Sequence, residues 1–249
     1  MKVWVTFTLL LAGHATTAWA QSSTTSIPAK GGDITITAFQ HASLQVEYAG
    51  KVIQIDPVQG DLSKAKSADV VLVTDIHGDH LNPELIAKVR KPGAPVVAPA
   101  AVQAQAGDKI PAPIEVLMNG QTKTVAGISV EAVPMYNLQR GPAPGQFFHT
   151  KGRGNGYLVT LGDKRLYVAG DTECTPEMKA LKGVDVAFMP MNLPYTMPPA
   201  EAAECVKAFK PKIVIPYHFQ GQKPEEFQNA LQGSGIEVRM LNWYPAAAR

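Results

Sequence analysis

Apolar and polar residues alternate in the first part of the chain. The alternation covers residues 34–37, 44–48 and 52–55, and Ala49 and Gly50 lie between the second and third of these segments. A period of two is typical of strands that bury one face, and a glycine between two such segments indicates a turn. The pattern therefore predicts a β-meander at the start of the fold.

Later segments are apolar without interruption. Such runs are expected for strands that are covered on both faces. They lie at residues 70–73, 166–168, 186–189 and 213–215.

Helical periodicity appears between these apolar runs. Helices are predicted at residues 82–91 and at about 100–106, and a third helix begins at Pro198 and Pro199. The third helix has one apolar face, formed at helical spacing by Ala202, Cys205, Val206 and Phe209. Helices outside two sheets would satisfy the whole pattern, so the sequence predicts an α/β fold.

Composition narrows the class of protein. A chain of 249 residues with 45% hydrophobic content is long enough for one large core. We expect a single domain at residues 33–249 after a flexible, polar leader at residues 21–32. The formal net charge of +2 comes from 23 basic and 21 acidic residues without long runs of either sign. We therefore expect a small-molecule partner and no nucleic-acid partner, whereas the oligomeric state is not defined by the sequence.

The first 20 residues have the pattern of a signal peptide. Lys2 precedes an apolar run, and residues 18–20 (AWA) offer a small-x-small cleavage site. A membrane anchor is the alternative, but the run is shorter than the roughly 20 residues that span a bilayer. We expect cleavage after Ala20 and an exported protein, periplasmic in a bacterium, without a stable membrane anchor.

The chain has two cysteines, Cys174 and Cys205. They can pair in an oxidising compartment if their Cα atoms lie within about 7 Å of each other. Cys174 also lies near enough in sequence to Asp171 to be an additional metal ligand, although a buried inert thiol is the commoner state. Two cysteines cannot build a cysteine-rich zinc module, so a metal ion would take nitrogen and oxygen ligands.

Side chains that can bind metal ions follow three of the uninterrupted apolar runs. They are, in chain order, Asp75, His77, Asp79, His80, Asp171 and His218. Loops at the carboxyl ends of strands hold ligands in α/β folds, and a hydrolytic metal ion needs imidazole and carboxylate ligands with one position left for water. Gly78 is expected to let the first loop turn tightly. The alternative is a solvated turn in which Asp79 or Asn82 caps the helix at 82.

Three motifs resemble those of the metallo-β-lactamase superfamily. Residues 74–81 (TDIHGDHL) resemble its THxHxDH motif, residues 169–172 (AGDT) its bridging-aspartate motif, and residues 216–219 (PYHF) its final histidine motif. The order and spacing agree over nearly the whole mature chain. Residues 41–44, 50–57 and 194–203 are similar to the branch that contains ascorbate-phosphate lactonase-like proteins.

The resemblance implies a four-layer αββα sandwich, the metallo-β-lactamase fold, with up to two metal ions in a cleft at its edge. His77 would serve the first metal ion and Asp171 would bridge both ions. The second ion would be bound by Asp79, His80 and His218.

The first metal position departs from the superfamily pattern. Asp75 and Asn137 stand where the pattern usually has histidines. We expect them as ligands nonetheless, in a harder site that favours iron or manganese, weakens zinc or stays partly empty. The expected cofactor is thus one or two divalent metal ions, with zinc first and manganese or iron as alternatives.

Several other residues are candidates for a role beside the metal ions. His41 and His149 are candidates for supporting the ligands, although a histidine beside a strand is more often structural. Tyr195 and Tyr217 flank the expected cleft and could donate a hydrogen bond to a developing oxyanion, with Tyr195 preferred.

Charged residues in the segment 147–156 are further candidates. Lys151 and Arg153 could hold an anionic substrate, whereas a mobile hairpin loop is an equally good interpretation.

The sequence supports three functional hypotheses. The first is a metal-dependent hydrolase that directs an activated water at a small ester, lactone or phosphoester, with Asp79 as a ligand or as the proton acceptor. The second is an exported metal-binding or ligand-binding protein on the same fold, with a degenerate first metal site. The third, an antibiotic-degrading β-lactamase, has less support, because a fold does not determine a substrate.

Overall fold

The computed structural model describes residues 22–111 and 113–245, which form two seven-stranded sheets. The first sheet contains, in spatial order, β1 (Thr24–Ile27), β2 (Ile34–Gln40), β3 (Ser43–Tyr48), β4 (Lys51–Ile55), β5 (Val70–Leu72), β6 (Val96–Ala98) and β7 (Ile114–Val116). The second sheet contains, in spatial order, β8 (Thr122–Val125), β9 (Ile128–Met135), β10 (Gly154–Leu161), β11 (Lys164–Val168), β12 (Val186–Pro190), β13 (Ile213–Tyr217) and β14 (Glu237–Val238).

Five α-helices lie within the described residues. They are α1 (Pro83–Val89), α2 (Ala100–Ala106), α3 (Pro176–Lys179), α4 (Pro199–Phe209) and α5 (Pro224–Ala230), and one 3₁₀ turn lies at Leu62–Lys64. Asn82 caps α1, since its side chain accepts a hydrogen bond from the backbone N–H of Leu85 at 3.1 Å. The helix cap predicted for this region is therefore confirmed, and Asn82 provides it.

Each sheet has an antiparallel half and a parallel half. Strands β1 to β4 are antiparallel neighbours and β4 to β7 are parallel, and in the second sheet β8 to β11 are antiparallel and β11 to β14 are parallel. The predicted β-meander at the start of the chain is confirmed by β2, β3 and β4. Parallel strands end at the same edge of a sheet, so the loops that follow them are neighbours.

Successive residues of the buried strands contribute to different cores. In β5, Val70 and Leu72 pack in the core between the sheets, whereas Val71 packs with Ile86 of α1 and Val102 of α2 on the outer face. This two-sided burial is the reason why β5 has no polar positions.

The second sheet follows the same rule. Val186 and Phe188 of β12 pack between the sheets, and Ala187 packs outward with α4. The apolar face predicted for that helix is confirmed, since Ala202, Cys205, Val206 and Phe209 all lie in the outer core. The layers are helices, sheet, sheet and helices, which confirms the predicted αββα sandwich.

The predicted leader contains an ordered strand. Residues 24–27 form β1 and pair with β2, and Ile27 is buried in the core between the sheets. The prediction of a flexible leader at 21–32 is therefore wrong for residues 24–27. The backbone of this strand is ordered by its hydrogen bonds to the edge of β2. The predicted signal peptide at 1–20 lies outside the described residues. No helix within residues 22–111 and 113–245 is long and apolar enough to cross a membrane.

Cys174 and Cys205 form a disulfide bond, with their Cα atoms 5.6 Å apart. The bond joins the loop after β11 to α4, and it removes Cys174 as a metal ligand. The prediction of a buried, inert thiol at Cys174 is thus wrong. A disulfide is the expected state in an oxidising compartment, and export of the chain stays a prediction.

We expect loss of this disulfide to destabilise the fold. Replacing both cysteines by serine should lower the free energy of unfolding by about 3 kcal/mol, because the bond closes a long loop in the unfolded chain. Urea unfolding checks this, with dithiothreitol-treated wild type as the matched control. The reductant should shift the wild-type midpoint and leave the double variant unchanged, and a wild-type midpoint insensitive to reductant would contradict the assignment.

Candidate metal centre

Four side chains from three loops converge at the carboxyl edge of the two sheets. We call Asp79, His80, Asp171 and His218 the tetrad. The first two follow β5, Asp171 follows β11 and His218 follows β13. Metal-competent atoms of the four lie within 4.8 Å of one another, so the edge geometry of parallel strands brings together residues that are far apart in sequence.

The spacing of the tetrad is that of metal ligands. Nε2 of His218 lies 3.4 Å from a carboxylate oxygen of Asp79 and 3.3 Å from one of Asp171. Nε2 of His80 lies 3.4 Å from Asp171 and 3.8 Å from Asp79. Ligand atoms around a tetrahedral ion with bonds of about 2.0–2.1 Å lie roughly 3.3–3.4 Å apart, so one ion fits between these groups.

Buried polar atoms without a hydrogen-bond partner also lie at the tetrad. Nε2 of His80, Oδ1 of Asp171 and both ring nitrogens of His218 are buried without a hydrogen-bond partner in the described residues. Buried polar atoms are normally paired, because an unpaired one loses its hydration without compensation. Coordination of a cation would satisfy Nε2 of His80, Oδ1 of Asp171 and Nε2 of His218 together.

Asp56 determines which nitrogen of His80 is available. The buried Asp56 carboxylate lies 2.8 Å from Nδ1 of His80 and also accepts hydrogen bonds from the N–H and hydroxyl of Thr74. An Nδ1–H donated to Asp56 leaves the lone pair on Nε2, facing Asp171. Sequence analysis missed Asp56, although it directly follows the buried strand β4, which is the same signal that identified Asp171.

The tetrad stabilises positive charge. Burial lowers the pKa of His80, but the carboxylates of Asp171 and Asp56 outweigh it and raise the pKa well above its ordinary value. Burial raises the pKa of Asp171, and the neighbouring His218 and His80 reverse the effect and hold the pKa well below its usual range. The site therefore favours ionised carboxylates with a cation between them.

His41 supports the tetrad from behind. Its Nε2 lies 3.4 Å from Asp79, its Nδ1 lies 2.7 Å from the hydroxyl of Tyr244, and its ring stacks on that of His218 at 3.6 Å. With Nδ1 accepting the Tyr244 proton, Nε2–H donates to Asp79, which is an assignment of the tautomer from the hydrogen-bond network. The structure thus places His41 next to the ligands.

Backbone strain is concentrated around the tetrad. His41, Asp56 and His218 have φ values of 57°, 43° and 49°, in the left-handed region that non-glycine residues rarely adopt. The backbone N–H of His218 donates to the carbonyl of His41 at 3.1 Å, which ties two of these residues together. Such conformations cost about 1–3 kcal/mol each and persist where the surroundings determine them, typically at functional sites.

The turn before Asp171 requires glycine. Gly170 has a φ of 68°, and a Cβ there would lie 2.3 Å from Sδ of Met135. Its N–H donates to the hydroxyl of Tyr217 at 2.8 Å. Tyr217 is fully buried, so it positions the Asp171 loop and does not flank the cleft as predicted. The chain does turn at Gly78, where the N–H of His80 donates to the carbonyl of His77 at 3.0 Å. A Cβ on Gly78 would meet open space and its φ is not left-handed, so this turn does not require glycine.

A second group of side chains lies beside the tetrad. We call Asp75, His77 and His149 the Asp75 cluster. Asp75 is fully buried, accepts a hydrogen bond from Nδ1 of His77 at 2.9 Å, and receives two hydrogen bonds from Arg153. Burial opposes ionisation of Asp75, but the His77 hydrogen bond and the charges of His80 and Arg153 lower its pKa to about 2.

The structure exchanges the predicted roles of Asn137 and His149. Oδ1 of Asn137 faces the backbone N–H and Nδ1 of His149, and its amide donates to Glu173 and to the carbonyl of Tyr195. Both ends of the Asn137 side chain are used, so it is not placed as a ligand. Nε2 of His149 instead lies 3.5 Å from Asp171. Burial lowers the pKa of His149 to about 4, which keeps the ring neutral.

Glu173 is a buried acid beside the site that the sequence did not reveal. It is fully buried, and its Oε1 accepts hydrogen bonds from Asn137 and from the backbone N–H of Arg140. Only the spatial contact with Asn137 assigns it a role, because an acid two residues after a ligand carries no sequence signal of its own. It holds Asn137 in the orientation that positions His149.

A cleft of about 330 Å³ opens onto both groups. Its lining consists of His77, Asp79, Phe148, His149, Asp171, Asn192 and Tyr195. Tyr195 is 45% exposed and its ring packs edge-on against Phe148 at 5.0 Å. The predicted tyrosine therefore lies in the wall of the cleft.

Known proteins are similar to this chain in sequence and in fold. Residues 35–218 match the β-lactamase superfamily domain. A UPF0173 metal-dependent hydrolase of Methanopyrus kandleri is 31% identical over 83% of this chain and 95% of its own length, and one of Thermococcus kodakarensis is 33% identical over 81% and 93%. A crystal structure from Parabacteroides distasonis, assigned as a metal-dependent hydrolase, is similar with a TM-score of 0.80 and 40% identity, covering 89% of this chain and 99% of that one.

Asp56 provides a test of how the tetrad is oriented. Asp56→Asn should weaken metal affinity by about 10- to 100-fold, because the residue no longer fixes the Nδ1–H tautomer of His80. Competition against a fluorescent zinc chelator measures the affinity. Asp185→Asn is the matched control, since that carboxylate lies at the amino end of β12 and accepts a hydrogen bond from the backbone of Arg165. Equal metal affinities of the two variants would show that Asp56 does not orient the tetrad.

Proposed function

Since the chain belongs to the β-lactamase superfamily and, within it, to the UPF0173 metal-dependent hydrolases, we propose that it hydrolyses a small ester, lactone or phosphoester. The observation that carries the proposal is the tetrad, in which His80, Asp171 and His218 have the spacing of three ligands of one tetrahedral ion and leave its fourth position to water beside Asp79. The lactone class is included because residues 41–44, 50–57 and 194–203 resemble ascorbate-phosphate lactonase-like proteins.

A divalent ion, zinc in this proposal, would lower the pKa of water toward about 7 and polarise the substrate oxygen. His80, His218 and Asp171 would hold it from the buried side. Asp79 has a side chain that is 33% exposed and lines the cleft, so it can reach both the ion and the substrate.

Asp79 is also the candidate proton acceptor. Burial raises its pKa, but the neighbouring imidazoles of His218, His41 and His80 outweigh burial and lower the pKa well below the usual range. The carboxylate is therefore ionised at neutral pH, and its place in the cleft lining lets it accept a hydrogen bond from the attacking water, which is the first step of a proton transfer.

Tyr195 is the candidate donor to the oxyanion. Its backbone carbonyl is fixed by the amide of Asn137 at 2.8 Å, while its ring lies in the cleft wall against Phe148. A phenol in this position can donate a hydrogen bond to negative charge that develops on the substrate oxygen.

The rim of the cleft favours a substrate with an apolar part. Five large hydrophobic side chains are strongly exposed in the described residues. One of them, Tyr195, lines the cleft, and Phe147 and Leu193 are chain neighbours of the lining residues Phe148 and Asn192. The small cleft volume limits the buried part of the substrate, and the rim can pack against an acyl or aromatic group outside it.

Loss of activity on metal chelation is the first requirement of this proposal. Treatment with a chelator should abolish hydrolysis across a panel of lactones, carboxylic esters and phosphoesters, and divalent zinc or manganese should restore it. Asp171→Ala and His218→Ala should stay inactive at saturating metal. Asp69→Ala, whose carboxylate lies at the opposite end of β5 and bonds Val52 and Lys91, is the control and should stay active.

Other outcomes of that panel select the alternative functions. One tightly bound ion without turnover of any substrate would support a metal-binding or ligand-binding protein. Hydrolysis of nitrocefin alone would support a β-lactamase.

Tyr195→Phe should lower kcat about 100-fold and leave both KM and metal content unchanged, because it removes only a donor to the transition state. Steady-state kinetics on the best substrate of the panel measure this. Tyr48→Phe is the control, since the Tyr48 hydroxyl donates to the carbonyl of Lys30 at the other end of β3. An unchanged kcat in Tyr195→Phe would exclude the proposed role.

A further inference from the structure

Arg153 makes a two-point ion pair with Asp75. Its Nε donates to one carboxylate oxygen at 3.1 Å and its Nη2 to the other at 3.0 Å. Asp75 is fully buried, and the arginine side chain is 20% exposed. Both oxygens of the carboxylate are thus engaged in charge-assisted hydrogen bonds of the strongest kind.

The spacing of the Asp75 cluster differs from that of the tetrad. Asp75 and His77 are 2.9 Å apart, which is a hydrogen bond and is shorter than the roughly 3.3–3.4 Å between ligands of one tetrahedral ion. The remaining nitrogen of His77 lies 3.5 Å from Nη2 of Arg153. The cluster is arranged around a guanidinium, so its residues do not fit a metal ion in the way that the tetrad does.

The backbone holds Arg153 in this position. Gly154, the next residue, approaches the Asp75 loop so closely that a Cβ would lie 3.0 Å from the carbonyl oxygen of Thr74 and 2.1 Å from Cε of Met135. The N–H of Asn155 donates to the same carbonyl at 2.9 Å. The start of β10 is therefore joined to the loop that carries Asp75, which places the backbone of Arg153 next to that carboxylate.

We propose that the guanidinium of Arg153 takes the place of the first metal ion of the superfamily pattern, so that the protein binds one ion, at the tetrad. The charges agree with this assignment. The two carboxylates of the tetrad balance one divalent cation, and the single carboxylate of Asp75 is balanced by Arg153. A second divalent cation in the Asp75 cluster would lie beside a fixed positive charge and would have to displace two hydrogen bonds.

Metal stoichiometry tests this assignment without an activity assay. Wild type and variants are loaded with excess Zn²⁺, freed of unbound metal by gel filtration and analysed by plasma mass spectrometry. We expect about one ion per chain in wild type and none in His218→Ala. Arg153→Met, which keeps an unbranched apolar stem and removes the guanidinium, should bind about two, because Asp75, His77 and His149 become available.

Lys151→Met is the matched control. Lys151 is two residues away, carries the same charge and pairs with Glu177 at the surface, so this variant should still bind one ion. Arg153→Met should show a wild-type circular dichroism spectrum before its metal content is interpreted. The wild-type value needs no variant and tests the inference even if Arg153→Met does not fold.

The outcomes separate this inference from the proposed function on which it rests. Two ions in wild type would overturn the role of Arg153 and leave a metal-dependent hydrolase with two ions. One ion in a folded Arg153→Met would also overturn it, since the guanidinium would not be the group that excludes the second ion. No ion in wild type would overturn the proposed function itself.

Discussion

The need to neutralise two carboxylates beside one imidazole is the constraint on which the site depends. Asp79 and Asp171 lie 3.4 and 3.3 Å from the same nitrogen of His218. Ionised carboxylates that are taken out of water cost several kcal/mol each unless a cation accompanies them, in order-of-magnitude terms. Neutral imidazoles orient the site but do not supply that charge, whereas a divalent cation does.

The fold provides this arrangement through its parallel strands. The loops after β5, β11 and β13 meet at one edge, and the cores on both faces of each sheet hold the strands that carry them. Strained backbone at His41, Asp56 and His218 is tolerated because buried hydrogen bonds determine each conformation. The same principle recurs beside the tetrad, where Arg153 is positioned by the close approach of β10 to the loop at Thr74.

Sequence reasoning predicted the parts of the molecule that local pattern determines. Two sheets covered by helices and the apolar face of α4 follow from periodicity, and the residues of the tetrad are among the side chains that follow buried strands. The resemblance to the metallo-β-lactamase superfamily implied how those side chains share metal ions. Sequence reasoning failed where one segment folds back onto another. Three such contacts leave no periodic signal in the chain. They are the contact of His149 with Asn137, the ion pair between Arg153 and Asp75 across 78 residues, and the pairing of β1 with β2.

The most direct measurement is a crystal structure of the metal-loaded protein with anomalous diffraction data collected on either side of the metal absorption edge. The account predicts a strong anomalous peak within bonding distance of Asp79, His80, Asp171 and His218. A map with no peak at the tetrad, in crystals whose metal content has been measured, would contradict the account of this protein as a hydrolase that works through that ion.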